Sequence, residues 1–252
     1  MPFFCRPLGV LGPPEILGFG SRPRGAHGFT LIELLLVIAI IGVLSSLVLP
    51  SLARARRQSH RAACLSNLHQ LYLSLHSFAM ENDDGVPLGY RGGRKQWNTM
   101  IYSGTNRKFV LFGRLFLADL MPTPRALYCP AERSPGQAYN TSENPWPPGQ
   151  GSVSVQGGYG GLPSVDWGQE DLPARLPRWT DYSDRVLLSD TLSLPERVDS
   201  RHREGVNVTV GDGSARWVPR GVFQAPLQKC EGLSSANNDA QDEVWASLNL
   251  QR

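Results

Sequence analysis

From Leu31 to Leu49 the chain reads LIELLLVIAIIGVLSSLVL, and every residue in it except Glu33 is apolar or small. As a helix rising 1.5 Å per residue, such a run spans roughly 28 Å, close to the hydrocarbon thickness of a bilayer. This segment fixes one end of whatever the chain builds, with a transmembrane helix expected over about 29–50. A carboxylate at the middle of a membrane span costs about 2.5–3.5 kcal/mol on insertion scales. A plain anchor therefore has no use for Glu33.

The residues just before the run are basic and small: Arg22, Arg24, Gly25, Ala26, His27 and Gly28, with the apolar segment starting abruptly at Phe29. Gly28-Phe29-Thr30-Leu31-Ile32-Glu33 followed by an apolar helix resembles the N-terminal signal of type IV prepilins and type II secretion pseudopilins. In that family a membrane peptidase cuts after the glycine and methylates the new N-terminal phenylalanine. The resemblance implies a leader over 1–28, cleavage between Gly28 and Phe29, and an assembly role for Glu33, paired with the terminal amine of a neighbouring subunit. Glycine at the cut leaves the backbone open to close approach. A desolvated carboxylate is tolerable with such a partner and strongly unfavourable without one.

Two other readings of the segment carry less. A conventional signal peptide would be cut near Ala53-Arg54-Ala55, but the apolar run is longer than the usual signal core and Glu33 would be unexplained. For a plain anchor, Arg54, Arg56, Arg57 and Arg61 closely follow the span while Arg22 and Arg24 closely precede it. The positive-inside rule thus points against the N-in orientation that the resemblance implies.

The chain has 252 residues and a net charge of +3. Three arginines against one glutamate give the leader +2, which leaves +1 for the rest. That near-neutral balance argues against a nucleic-acid binder, which needs a concentrated basic face. Twenty prolines and 26 glycines suit a loop-rich domain better than a helical bundle. Cys5 leaves with the leader, and Cys64, Cys129 and Cys230 remain without a C-x-x-C pair, so no zinc ribbon is expected. His60, His69 and His76 lack the i, i+4 spacing that metal binding on a helix uses.

Past the span, Leu65, Leu68, Leu71, Leu75, Phe78 and Ala79 recur at three- and four-residue intervals. They continue the helix as an amphipathic stripe to about 82. Pro50 lacks an N–H and crowds the carbonyl of Ser46, so a kink or loosened turn is expected there, or an ordinary end of the span. The turn formers from Glu81 to Pro87 stop the helix. The remainder, 83–252, reads as a globular α+β domain. It has a strand or loop edge at Trp97–Tyr102, a short helix over Leu111–Met121, a strand end at Leu127–Pro130 and a buried strand at Arg185–Asp190. An irregular insertion rich in proline and glycine occupies about 131–180.

Alternating Val206–Val210 and Ser214–Val218 flank Asp212-Gly213, a hairpin signature. His202 stands ten residues before Asp212. This H-x(9)-D-G spacing, with C-x-x-N-L-x-Q at Cys64 and Cys-Pro at Cys129, resembles the bacterial prepilin-like group named for the His and Asp-Gly. Cys64 and Cys129 are the two cysteines on that group's motifs. A disulfide between them is one reading, and two small buried apolar residues the other. His202 and Asp212 are read as a structural contact pinning the hairpin, ahead of an acid–base or metal pair. Asp239 and Asp242 lie in an acidic stretch, Asn237–Glu243, read as a loop before a short helix at Val244–Leu248. Calcium is a candidate ligand there, because oxygen donors suit it; no other cofactor is expected. Trp146, Trp167 and Trp179 in the insertion are read as packing residues, with a carbohydrate platform as the rival.

The expected architecture is α+β: a long N-terminal helix packed on a small antiparallel sheet, as in pilins. The resemblance implies a non-enzymatic filament subunit of a type II secretion or type IV pilus-like apparatus. It would be inserted in a bacterial inner membrane by one pass, with the C-terminal domain periplasmic. Its partners would be a prepilin peptidase, other pilin-like subunits, the assembly platform and membrane lipid. The alternative is a membrane-tethered extracytoplasmic binding module that uses the signal only for processing.

Overall fold

A computed structural model describes residues 29–121, 123–149, 153–168, 173 and 175–250. The leader and its cleavage glycine, Gly28, lie outside the described residues. The chain divides into two compact units, one ending at Leu49 and one running from Pro50 to the C-terminus.

Helix α1 (Leu31–Glu81) supplies the described part of the first unit and opens the second. Its apolar side chains before Pro50 are exposed, from Leu31 at 77% to Leu49 at 64%. This stretch is long and apolar enough to cross a membrane. Residues on both sides of Pro50 are helical. Ser46, whose carbonyl has no proline N–H to accept, turns its own hydroxyl onto Val43 O at 2.7 Å.

In the second unit α1 buries Cys64, Leu68, Leu71, Leu75, Phe78 and Ala79, the expected stripe, although Leu65 is only half-buried. It stops where Asp83 and Asp84 turn left-handed (φ 51° and 69°) and Asp84 N–H donates to Ala79 O at 2.9 Å. A small three-stranded antiparallel sheet follows, built from β1 (Met100–Ser103), β2 (Lys108–Phe109) and, after the short helix α2 (Gly113–Leu117), β3 (Val155–Gln156). The main sheet is antiparallel in the order of its labels: β4 (Tyr159–Gly161), β5 (Val186–Asp190), β6 (Gly205–Val210) and β7 (Ala215–Pro219). Between β5 and β6 lies α3 (Pro195–Asp199), and α4 (Gln224–Gln228) and α5 (Asn238–Asn249) close the chain.

Strand β6 is buried at all six positions, so its alternation separates two interiors rather than core from water. Val206, Val208 and Val210 join Phe223, Leu227, Val244, Trp245 and Leu248 in one hydrophobic cluster, backed by α4 and α5. Asn207 faces the other way, where its Nδ2 donates to Arg61 O on α1 at 3.3 Å. The domain is thus layered as α1, sheet, then C-terminal helices. The β6–β7 hairpin forms with Thr209 opposite Ala215, and Gly213 takes φ +87° in its turn.

Three expectations are corrected. Leu127–Pro130 is not a strand: a 3₁₀ turn covers Pro124–Leu127, and Tyr128 O accepts from Asn67 Nδ2 on α1 at 3.1 Å instead of from a sheet neighbour. The span 131–180 is irregular over much of its length but supplies β3 and β4, one strand to each sheet. The acidic stretch before Val244 is already helical from Asn238. The Asn238 side chain is occupied there, accepting from Lys95 N–H at 3.0 Å and donating to Gly93 O at 2.8 Å.

Candidate functional site

At the start of α1, Thr30 and Glu33 satisfy each other. Glu33 Oε2 accepts from Thr30 N–H at 2.9 Å and from Thr30 Oγ1 at 2.7 Å, and Glu33 N–H donates to Thr30 Oγ1 at 3.3 Å. This is a capping box, in which a Thr and a Glu three residues apart pair the orphan donors of a helix N-terminus. Thr-x-x-Glu is the sequence signature of such a box. The mid-span cost of a carboxylate does not apply in full here, because Glu33 is the third residue of the helix, where a carboxylate also meets the positive end of the helix dipole. Phe29, beside it, is 73% exposed.

The second unit holds a buried polar cluster where α1 meets the sheet. Cys64 is joined by a disulfide to Cys129, with Cα atoms 5.4 Å apart and a sequence separation of 65. One turn further along α1, Asn67 bonds both Tyr128 O and Tyr159 Oη at 3.1 Å. The C-x-x-N spacing thus fastens two successive turns of α1 to one stretch of chain. Gly158 presses against that stretch from β4's side: a Cβ there would lie 2.3 Å from Cys129 N.

Strand β5 ends in Asp190, 1% exposed, and the turn after α3 delivers Arg201 and His202 beside it. His202 Nε2 lies 3.6 Å from Cys129 Sγ and 3.6 Å from Asp190 Oδ2. The carboxylate against His202 is therefore Asp190, not Asp212, which is exposed and accepts from Ser214 N–H in its own turn at 2.8 Å. Asp190 Oδ2 accepts from Asn207 N–H at 2.7 Å and from Asn207 Nδ2 at 3.0 Å, while buried Oδ1 has no hydrogen-bond partner among the described residues. The His202 ring stands edge-on to Trp217 at 5.8 Å, and the Arg61 guanidinium lies 3.9 Å over the same indole. Beside them Arg201 forms a buried ion pair with Glu132 at 2.6 Å and donates to Gln137 Oε1 at 2.6 Å.

Burial dominates the protonation of this cluster. It pushes Asp190 up to about 7, against the Asn207 bonds and the charge of Arg201. It pushes His202 down to about 4, aided by the positive charges of Arg201, His60 and Arg61. Near neutral pH the imidazole is uncharged, so its contact with Asp190 is not an ion pair. Asp190, Arg201 and Glu132 were missed in sequence; the only signal was a buried strand, V-L-L-S-D, ending in an acid.

The remaining candidates fall elsewhere. Asp242 pairs with Lys95 at 2.5 Å, and Asp239 sits exposed in the first turn of α5. Trp167 is 2% exposed, with Nε1 donating to Leu88 O at 2.9 Å. Trp146 packs with Phe109, Phe116 and Tyr139, and Trp179 with Tyr72 and His76. Trp167 is a core ring and the other two are half-buried against neighbouring rings, and the carbohydrate-platform alternative has no support in them.

The exposed apolar helix with its capped acid is also where the likeness to known proteins falls. Residues 23–49 match the family described as the prokaryotic N-terminal methylation motif. The chain is 41% identical over 62 residues to the type IV major pilin protein PilA of Myxococcus xanthus, covering 25% of this chain and 28% of that protein. It is 34% identical over 65 residues to the type II secretion system core protein G of Pectobacterium carotovorum, covering 26% and 42%. With the type IV wide pilus major component PilA4 of Thermus thermophilus it shares 37% over 60 residues, covering 24% and 46%. The chain thus spans less than half the length of these curated relatives. No solved structure matches.

Proposed function

We propose that the protein is a non-enzymatic, pilin-like filament subunit of a type II secretion or type IV pilus-like apparatus. The observation that carries this is the methylation-motif match over residues 23–49 on a helix whose apolar side chains before Pro50 are exposed. On this reading a prepilin peptidase cuts after Gly28 and methylates Phe29. The helix crosses the inner membrane once, N-terminus inward, and the domain from Pro50 onward lies in the periplasm. Assembly then packs the apolar helices of neighbouring subunits together, with Glu33 meeting the terminal amine of the next.

Mass spectrometry of the mature N-terminus tests the processing step. A chain beginning at N-methylated phenylalanine is expected, and one beginning near Arg56 would refute it. Glu33→Ala is expected to be processed normally and to fail in assembly; filaments of normal abundance from that variant would defeat the assembly role.

A further inference from the structure

The Cys64–Cys129 disulfide does not stand alone. Its two sulfurs, an imidazole nitrogen of His202 and a carboxylate oxygen of Asp190 all lie within 4.8 Å of one another. All four side chains are at least nine-tenths buried, and they come from four parts of the domain: α1, the turn after Leu127, β5 and the turn after α3. His202 Nε2 is 3.6 Å from both Cys129 Sγ and Asp190 Oδ2. That separation is too long for an N–H···O hydrogen bond. It matches the edge of a zinc tetrahedron, roughly 3.3–3.8 Å for N, O and S ligands at their usual bond lengths. The buried Asp190 Oδ1, with no hydrogen-bond partner among the described residues, is a second sign that a ligand is wanted here. Asn207, holding Oδ2 by two bonds, is placed as an outer partner that orients a ligating carboxylate.

We propose that the reduced form of the protein binds one zinc-class divalent cation through Cys64, Cys129, His202 and Asp190. The disulfide and the metal site exclude each other, because only thiolates ligate. A dithiol reductant gives two electrons and two protons to the Cys64–Cys129 bond, leaving two thiols and becoming a disulfide itself. The incoming cation then displaces the two thiol protons and takes both sulfurs as ligands. In either state the same two residues fasten α1 to the turn after Leu127, covalently or through the ion. The inference does not depend on the filament reading.

Cobalt(II) titration of the full chain in detergent micelles tests it, in a Cys5→Ser, Cys230→Ser background that leaves only the two cluster cysteines. The reduced chain is expected to bind one Co²⁺ with the visible bands of a tetrahedral site and a thiolate-to-cobalt charge-transfer band. Zn²⁺ should bleach both, and the oxidised chain should show neither. His202→Gln and Asp190→Asn should each weaken binding by about tenfold or more, since even outer partners of metal sites cost that much. Should reduction alone unfold the domain, recovery of native tryptophan emission on adding Zn²⁺ supports the site, and failure to recover overturns it. A reduced chain with no tetrahedral cobalt spectrum, or unchanged affinity in both His202→Gln and Asp190→Asn, also overturns it.

Discussion

Replacing His202 by glutamine should make the domain's stability fall with rising pH, relative to wild type, between about pH 4.5 and 6. In the fold Asp190 titrates at about 7, above its ordinary 3.8. From about pH 4 to 7 folding therefore takes up a proton at Asp190, and stability from this group falls as pH rises. His202 titrates at about 4 in the fold, below its ordinary 6.5. Folding releases a proton there between about pH 4 and 6.5, and stability from this group rises with pH. Each slope is about 1.4 kcal/mol per pH unit when one proton is exchanged. Their signs are opposite, so they cancel across the shared window. Without His202 the Asp190 slope stands alone, and between pH 4.5 and 6 the variant should lose roughly 2 kcal/mol relative to wild type. Asp190→Asn should show the mirror image, gaining stability over the same interval. Urea denaturation of the oxidised full chain in non-ionic micelles measures this, because all six tryptophans lie after Pro50 and report only the second unit. The comparison of slopes is insensitive to any uniform destabilisation by lost packing. Parallel pH profiles for wild type and His202→Gln would refute the opposed titrations.

Three further outcomes follow from the geometry. Cys64→Ser with Cys129→Ser opens a 65-residue loop and should lower stability by about 2–4 kcal/mol, read from the urea midpoint under oxidising conditions. Gly158→Ala sets a Cβ 2.3 Å from Cys129 N, a clash with backbone that should cost about 1–3 kcal/mol, seen as a lowered thermal midpoint. Glu33→Gln keeps a side-chain oxygen for the Thr30 cap and loses the charge. It should retain α1 helicity in micelles by circular dichroism yet assemble no better than Glu33→Ala; normal assembly would show that the cap, not the charge, matters.

The parts of the fold legible in sequence are those encoded by neighbours along the chain. The run from Leu31, the stripe ending at Ala79, strand β5 and the hairpin around Asp212-Gly213 all follow from local periodicity and turn chemistry. The polar cluster was not legible, because its members are far apart in sequence and meet only through packing. His202 was matched with Asp212 by spacing, yet the strand between them carries the chain away to the end of the hairpin. Asp190 reached His202 through β5–β6 pairing, which brings it to Asn207. Tyr128 and Cys129 resembled a strand end, but their partners are on α1, which no β-pattern can reveal. Asn238 and Asp239 read as turn residues because asparagine and aspartate favour both turns and helix starts. Contacts with Gly93 and Lys95 decided for the helix.

Thr30 and Glu33 form a closed local circuit at the entry of α1, and that bears on reversibility. An acid that needed a neighbouring subunit would be stranded whenever that neighbour was absent, and each departure from an assembly would expose it to lipid unpaired. Here the same carboxylate has a home in the lone subunit. On the filament reading, joining exchanges one set of hydrogen bonds for another, and leaving restores the first. A subunit outside the assembly would thus keep Glu33 hydrogen-bonded to its own Thr30.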